Sequence, residues 1–87
     1  MGQKEFEDAL ERVKQLPDQP PKVLLELYGL YKQATAGDVS GKRPGMLDMK
    51  GRAKYDAWAA RAGMGKDQAL DAYVALVDRL LAEHAAS

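Results

Sequence analysis

Apolar side chains recur at helical spacing in four separate segments of this chain, and this periodicity restricts the fold more than any other feature. Residues 3–16 place Phe6, Ala9, Leu10 and Val13 at positions i, i+3, i+4 and i+7. Similar spacing runs through residues 21–36, 49–62 and 66–85. Because no segment has the alternation typical of a strand, the sequence predicts an all-α, four-helix bundle.

Residues with known helix-ending or helix-starting preferences separate the four segments. Pro17 ends the first helix, and Pro21 suits the first position of the second. Asp48 is a predicted N-cap for the third helix, and Gly63 is a predicted C′ residue after it. The loop at residues 37–47 is long for so small a domain, which favours a functional or mobile segment.

The 87 residues form one predicted domain, residues 1–87, which buries only roughly 60–65% of its unfolded surface. The chain has no cysteine, which excludes disulfides, thiolate metal sites and thiol nucleophiles. Its single histidine, His84, predicts no metal site. The N-terminus lacks an apolar signal region, so a cytoplasmic protein is expected. We expect the fold to depend on packing alone.

Two helical segments bring aromatic and cationic side chains together. Tyr28, Tyr31 and Lys32 are spaced i, i+3 and i+4, so they share one face of the second helix. Lys50 and Lys54 are again four residues apart on the third helix. Several cations beside phenol rings suit a ligand that carries phosphates on a flat aromatic base.

The distribution of charge agrees with a local anion site. The 13 basic and 13 acidic residues give no net charge, which argues against a general nucleic-acid binder. Residues 28–58 nevertheless hold six basic and three acidic side chains, and the remainder holds seven and ten. A basic region on an otherwise acidic body favours a compact anionic ligand over a long polyanion.

Five blocks of sequence closely resemble the acyl-CoA-binding protein family. They read YGLYKQAT from Tyr28, GDV from Gly37, KRPGMLD from Lys42, KGRAKYDAW from Lys50 and DAYV from Asp71. The resemblance implies an up-down-down-up arrangement with the long loop between the second and third helices. It also implies non-enzymatic binding of long-chain acyl-CoA esters by an intracellular carrier and pool former, with no cofactor.

The resemblance and the local geometry together give a set of predicted ligand contacts. Phosphates are assigned to lysine and arginine, adenine to tyrosine, and the acyl chain to the space between helices. The acyl-CoA-binding residues are Lys14, Tyr28, Gly29, Leu30, Tyr31, Lys32, Arg43, Lys50, Lys54 and Tyr73, with Ala9 and Leu10 against the acyl chain.

Several of these residues also have a purely structural interpretation. Lys14 suits a helix C-terminus, and Gly29 suits close packing of a neighbouring helix. Tyr73 lies in an apolar stripe and would by itself be assigned to the core, as would Trp58. Tyr55 stands where the family usually has tryptophan, and Lys42 is expected to be a solvated loop residue.

No combination of side chains predicts catalysis, because the chain lacks a Ser/His/Asp or Cys/His set. We expect a monomer that makes transient contact with acyl-CoA-using enzymes or membrane surfaces and does not bind nucleic acid. The alternative is a helical protein-interaction module whose basic loop docks an acidic partner. A third interpretation, an RNA or DNA module, would need a larger positive charge.

Overall fold

The computed structural model describes residues 2–86 and contains four α-helices in this range, without a strand. They are α1 (Gln3–Arg12), α2 (Pro21–Ala36), α3 (Met49–Ala59) and α4 (Lys66–Ala86), and a 3₁₀ turn at Val13–Gln15 follows α1. The predicted all-α fold is therefore confirmed.

Two helices end earlier than predicted, and hydrogen bonding explains both differences. The segment 3–16 is not one continuous α-helix, because its last turn tightens into the 3₁₀ turn before Pro17. After α3, Arg61 and Ala62 donate to the carbonyls of Trp58 and Ala59 three residues back, at 2.9 and 3.1 Å. Such i to i+3 bonds are common where a helix terminates.

The predicted N-cap of α3 is confirmed, but the predicted C′ residue is wrong, because α3 ends at Ala59 and Gly63 lies beyond its C-cap. Asp48 caps the helix, since its carboxylate accepts a 3.0 Å hydrogen bond from the backbone N–H of Gly51. Gly63 follows the final turns with a φ of 89°, a left-handed conformation that favours glycine.

The contacts between helices fix their directions. Phe6 in the first half of α1 stacks near Tyr31 in the second half of α2, and the turn that follows α1 lines a depression with the first half of α2, so the two helices run antiparallel. Phe6 also contacts Tyr73, and Arg12 pairs with Asp78, so α1 and α4 run in parallel.

The helices α2 and α3 also run in parallel. Lys54 lies over the ring of Tyr28, and Lys32 lies over the ring of Trp58, so residue numbers rise together along the two helices. Two parallel helices cannot be joined by a tight turn, and residues 37–48 cross from the end of one to the start of the other. The order is therefore up-down-down-up.

The core lies between α1, α2 and α4. Its buried side chains are Phe6, Ala9, Leu27, Leu30, Leu70, Tyr73, Val74, Leu76, Val77 and Leu80. The helix α3 contributes no fully buried residue and packs mainly on α2, where Gly29 faces the backbone of Ala57. One helix therefore lies at the margin of the bundle.

Side chains of α3 hold the long loop in place at three points. The indole N–H of Trp58 donates to the Gly37 carbonyl at 2.7 Å. The Tyr55 hydroxyl donates to the Gly41 carbonyl at 3.1 Å. Arg43 makes two hydrogen bonds to the Asp56 carboxylate, at 2.9 and 2.7 Å. The loop is thus an ordered part of the domain.

A buried glutamine ties α2 to the turn before α4. The Gln33 side chain, only 1% exposed, donates to the Met64 carbonyl at 2.7 Å and to the Asp38 carboxylate at 2.8 Å. The same Asp38 oxygen accepts from the Gly63 N–H at 2.9 Å. These bonds fix the end of the domain at which α2, the long loop and α4 meet.

Candidate functional site

Each of the parallel helices α2 and α3 places a lysine ammonium over an aromatic ring of the other helix. The Lys32 ammonium of α2 lies 4.7 Å from the ring centre of Trp58 on α3. The Lys54 ammonium of α3 lies 5.4 Å from the ring centre of Tyr28 on α2. Both distances allow cation–π attraction. The arrangement places two ammonium groups and two aromatic rings on one surface.

These two ammonium groups are not neutralised by acidic side chains. Within residues 2–86, neither Lys32 nor Lys54 forms a salt bridge, and the same holds for Lys50. Lys14, by contrast, lies 2.6 Å from the Glu11 carboxylate, and Arg43 is bound to Asp56. An anion can therefore reach Lys32 and Lys54 without displacing a carboxylate.

The two carboxylates that pair with these cations have lowered pKa values. The pKa of Asp56 is lowered, chiefly because Arg43 donates to it, and the pKa of Arg43 is raised by the same bond. The Lys14 ammonium lowers the pKa of Glu11 in the same way. Both predicted contacts, Lys14 and Arg43, thus have partners within the chain.

A second aromatic cluster joins α1, α2 and α4. The rings of Phe6 and Tyr31 are 6.2 Å apart and stacked, and Phe6 meets Tyr73 edge-on at 5.3 Å. Burial raises the pKa of Tyr73, and the Tyr31 phenol raises it further. Tyr73 is therefore a neutral phenol packed beneath Tyr31, which remains exposed.

An apolar groove of about 390 Å³ lies beside Lys54. Its walls are Pro21, Leu24, Leu25 and Ala53, with Lys50 and Lys54 at the rim. Lys54 thus belongs both to the groove and to the pair of ammonium groups. The groove was not identified from the sequence. The structure leaves Leu24 53% exposed, where it lines this groove.

The remaining predicted contacts lie in the interior of the bundle. Ala9 and Leu30 are core residues, and Leu10 is half-buried against that core. Gly29 is buried where a Cβ atom would come within 2.4 Å of the Ala57 carbonyl oxygen. The structure therefore places Gly29 at a helix–helix contact, the structural role weighed above.

Sequence reasoning gave Gln33 no role, although it is the buried polar residue that orders this end of the site. The available signal was a polar side chain between apolar neighbours of a helix, in the block YKQAT. Among residues 2–86, no cluster of three or more potential ligand side chains is placed to hold a metal ion. Within the same residues, no helix combines the length and the apolar character of a membrane span.

Comparisons with known proteins identify relatives over nearly the whole chain. The family model described as "Acyl CoA binding protein" matches residues 3–77. An acyl-CoA-binding protein of Brassica napus is 52% identical over 89 residues, covering all of this chain and 97% of the relative. Acyl-CoA-binding protein homolog 1 of Caenorhabditis elegans is 49% identical over 82 residues, covering 93% of this chain and 95% of the relative.

Solved structures have the same architecture. The crystal structure of Oryza sativa acyl-CoA-binding protein 2 superposes with a TM-score of 0.95 at 48% identity, covering 98% of this chain and 96% of that one. A crystal structure from Moniliophthora perniciosa gives a TM-score of 0.80 at 34% identity, with 100% and 98% coverage. The family model, the relatives and the shared fold show that the chain belongs to the acyl-CoA-binding protein family.

Proposed function

We propose that the protein binds long-chain acyl-CoA esters without transforming them and acts as an intracellular carrier and pool. The observation that carries this proposal is the pair of ammonium groups, Lys32 and Lys54, which lack carboxylate partners within residues 2–86, together with the apolar groove that Lys54 lines. The ligand has the same two parts, a phosphorylated nucleotide and a hydrocarbon chain.

The phosphates of the ligand would bind the two ammonium groups. A hydrogen bond to a charged group contributes about 1.5–3 kcal/mol, so loss of one lysine should weaken binding roughly 10- to 150-fold. Lys50 would assist from the rim of the groove. Lys14 and Arg43 would contribute after release of Glu11 and Asp56.

The adenine ring would lie against the phenols of α2. Tyr28 and Tyr31 offer their rings at the surface, and Tyr73 supports Tyr31 from beneath through Phe6. Backbone at Gly29 and Leu30 connects these two phenols. A base held between aromatic rings gains stacking energy as well as burial.

The acyl chain would occupy the groove between α2 and α3. Each methylene group removed from water contributes about 0.8 kcal/mol. Ala9 and Leu10 would then support the site from the core, because Ala9 has no exposed surface. Since head group and chain bind at adjoining places, the intact ester should bind more tightly than free CoA or a free fatty acid.

Calorimetry with palmitoyl-CoA, CoA and palmitate tests the proposal directly. We expect tight one-to-one binding of the ester and much weaker binding of the two fragments. Lys32→Ala and Lys54→Ala should each weaken binding of the ester. Lys4→Ala, which changes an exposed lysine on α1, is the matched control. Absence of heat with all three ligands, or unchanged affinity in both lysine variants, would refute the proposed site.

A variant that fills the groove distinguishes binding of the acyl chain from binding of the CoA head group. Ala53→Leu should reduce affinity for palmitoyl-CoA while leaving that for free CoA unchanged, because only the chain would occupy the groove.

In the cell, the protein would act as a cytoplasmic monomer that meets acyl-CoA-using enzymes and membrane surfaces transiently. Light scattering with and without ligand measures the oligomeric state.

A further inference from the structure

Trp58 of α3 contacts the C-terminal part of α2 through both its N–H and its ring. The indole N–H donates to the carbonyl of Gly37, the C-cap of α2, at 2.7 Å. The ring face lies against the Lys32 ammonium, which is 4.7 Å from the ring centre. The side chain is half-buried. The N–H bond therefore fixes the orientation of the ring that Lys32 meets.

Lys32 is the flexible member of this contact. A lysine ammonium sits on a mobile four-carbon stem, and a ligand that binds an unrestrained ammonium must first order that stem. In the part of the chain that the structure describes, no carboxylate forms a salt bridge with Lys32. Attraction to the indole face restrains the ammonium without neutralising its charge.

We propose that Trp58 is a positioning residue for the phosphates of the ligand, because its ring holds the Lys32 ammonium in place before the ligand binds. An ammonium has three N–H donors, and the ring lies on only one side of it. The other side stays open to a phosphate oxygen, so the ammonium keeps its contact with the ring in the complex. Trp58 acts through Lys32 and does not have to touch the ligand. This role rests on the proposed function.

The reciprocal contact between Lys54 and Tyr28 is less suited to the same role. Its distance is longer, 5.4 Å, and tyrosine attracts a cation less strongly than tryptophan does. The Tyr28 ring is also assigned to adenine, so a substitution there would change two contacts at once. Trp58 is not a predicted ligand contact, and an effect of its ring on affinity can be attributed to Lys32.

Fluorinated tryptophan tests the proposal without altering the fold. Trp58 is the one tryptophan of the chain, so biosynthetic incorporation changes this position alone. Fluorine withdraws negative charge from the ring face, which weakens cation–π attraction, while the size of the indole and its N–H are nearly preserved. Calorimetry with palmitoyl-CoA compares the parent with proteins whose indole carries an increasing number of fluorine atoms.

We expect affinity for the ester to fall steadily with fluorination, by roughly two- to fivefold in total, the range of a cation–π contact at an exposed site. The same series in Lys32→Ala should show no dependence on fluorine, because no ammonium remains over the ring. Lys54→Ala is the matched control, since it removes the other ammonium and should keep the dependence. Dependence in Lys32→Ala, or its loss in both variants, would contradict an action through Lys32.

The sign of the change distinguishes positioning from competition. A phosphate that had to pull the ammonium off the ring would bind more tightly when the ring is weakened, and this result would overturn the proposal. Equal affinity throughout the fluorinated series would overturn it too, while leaving the carrier function intact. A parent protein that fails to bind palmitoyl-CoA at all would remove the carrier function and this role together.

Discussion

Replacement of Gly29 by alanine has two opposing effects on the free energy of unfolding, one from helix propensity and one from packing. Alanine is the better helix former, and in an isolated helix the change should stabilise by about 1 kcal/mol. In the folded protein the new Cβ atom would lie 2.4 Å from the Ala57 carbonyl oxygen and 3.0 Å from its carbon. Ordinary contact begins near 3.4 Å, so the two helices must separate by about 1 Å.

The close contact with Ala57 determines whether the variant is less or more stable than the parent. Overpacking of a close-fitting interface costs about 1–3 kcal/mol, and here the obstructing atom belongs to the backbone of α3 and cannot turn away. Because the obstructing atom is backbone, we take the upper part of that range, about 2–3 kcal/mol. After the gain of about 1 kcal/mol in helix propensity, we expect the free energy of unfolding to fall by about 1–2 kcal/mol. For a domain of this size, the melting temperature should fall by about 5–15 °C. Separation of α2 from α3 should also lower affinity for palmitoyl-CoA.

Urea denaturation and thermal melting measure the change. Gly45→Ala is the matched control, because its Cβ would meet no atom within 4 Å, and it should be neutral or slightly stabilising. Ala57→Gly should not rescue the variant, since the clash is with a carbonyl and not with a side chain. A Gly29→Ala protein as stable as the parent would refute the reasoning, because helix propensity would then outweigh the contact.

Two further changes test the ordering of the loop and its end. Trp58→Phe removes the N–H that binds the Gly37 carbonyl, so the unfolding free energy should fall by about 1 kcal/mol and loop amides should exchange faster, as measured by hydrogen exchange; unchanged exchange would show that the bond does not hold the loop. The pKa of Asp38 is lowered, first by the Gly63 N–H and then by Gln33. Stability from this group should therefore be fully present above the ordinary aspartate pKa of about 4 and lost as the pH falls through the lowered value. Asp38→Asn should flatten that part of the profile in urea denaturation between neutral and acidic pH, and an identical acid profile in both proteins would contradict this assignment.

The sequence was sufficient for the architecture because local patterns determine it. Apolar spacing, Pro17, Pro21 and the Asp48 cap act within one or two turns of chain, so they predict helices without knowledge of the tertiary contacts. The boundary errors fall where i to i+3 bonds replace helical ones, which no local preference predicts. The family resemblance added the up-down-down-up order, which the periodicity alone does not contain.

The tertiary structure decided which side chains of the site are available. Lys14, Arg43, Lys32 and Lys54 are equivalent cations in the sequence, but only the first two have carboxylate partners in residues 2–86. The groove beside Leu24 likewise forms only where residues of α2 and α3 that are distant in sequence come together.

The same physical reason applies to each of these features. A helix is specified by neighbours along the chain, whereas an ion pair, a close contact or a groove depends on residues far apart in sequence. Arg43 meets Asp56 across thirteen positions, and Gln33 meets Met64 across thirty-one. The sequence by itself thus determined the helices and their chemistry, and the packing of α3 on α2 decided where that chemistry is exposed.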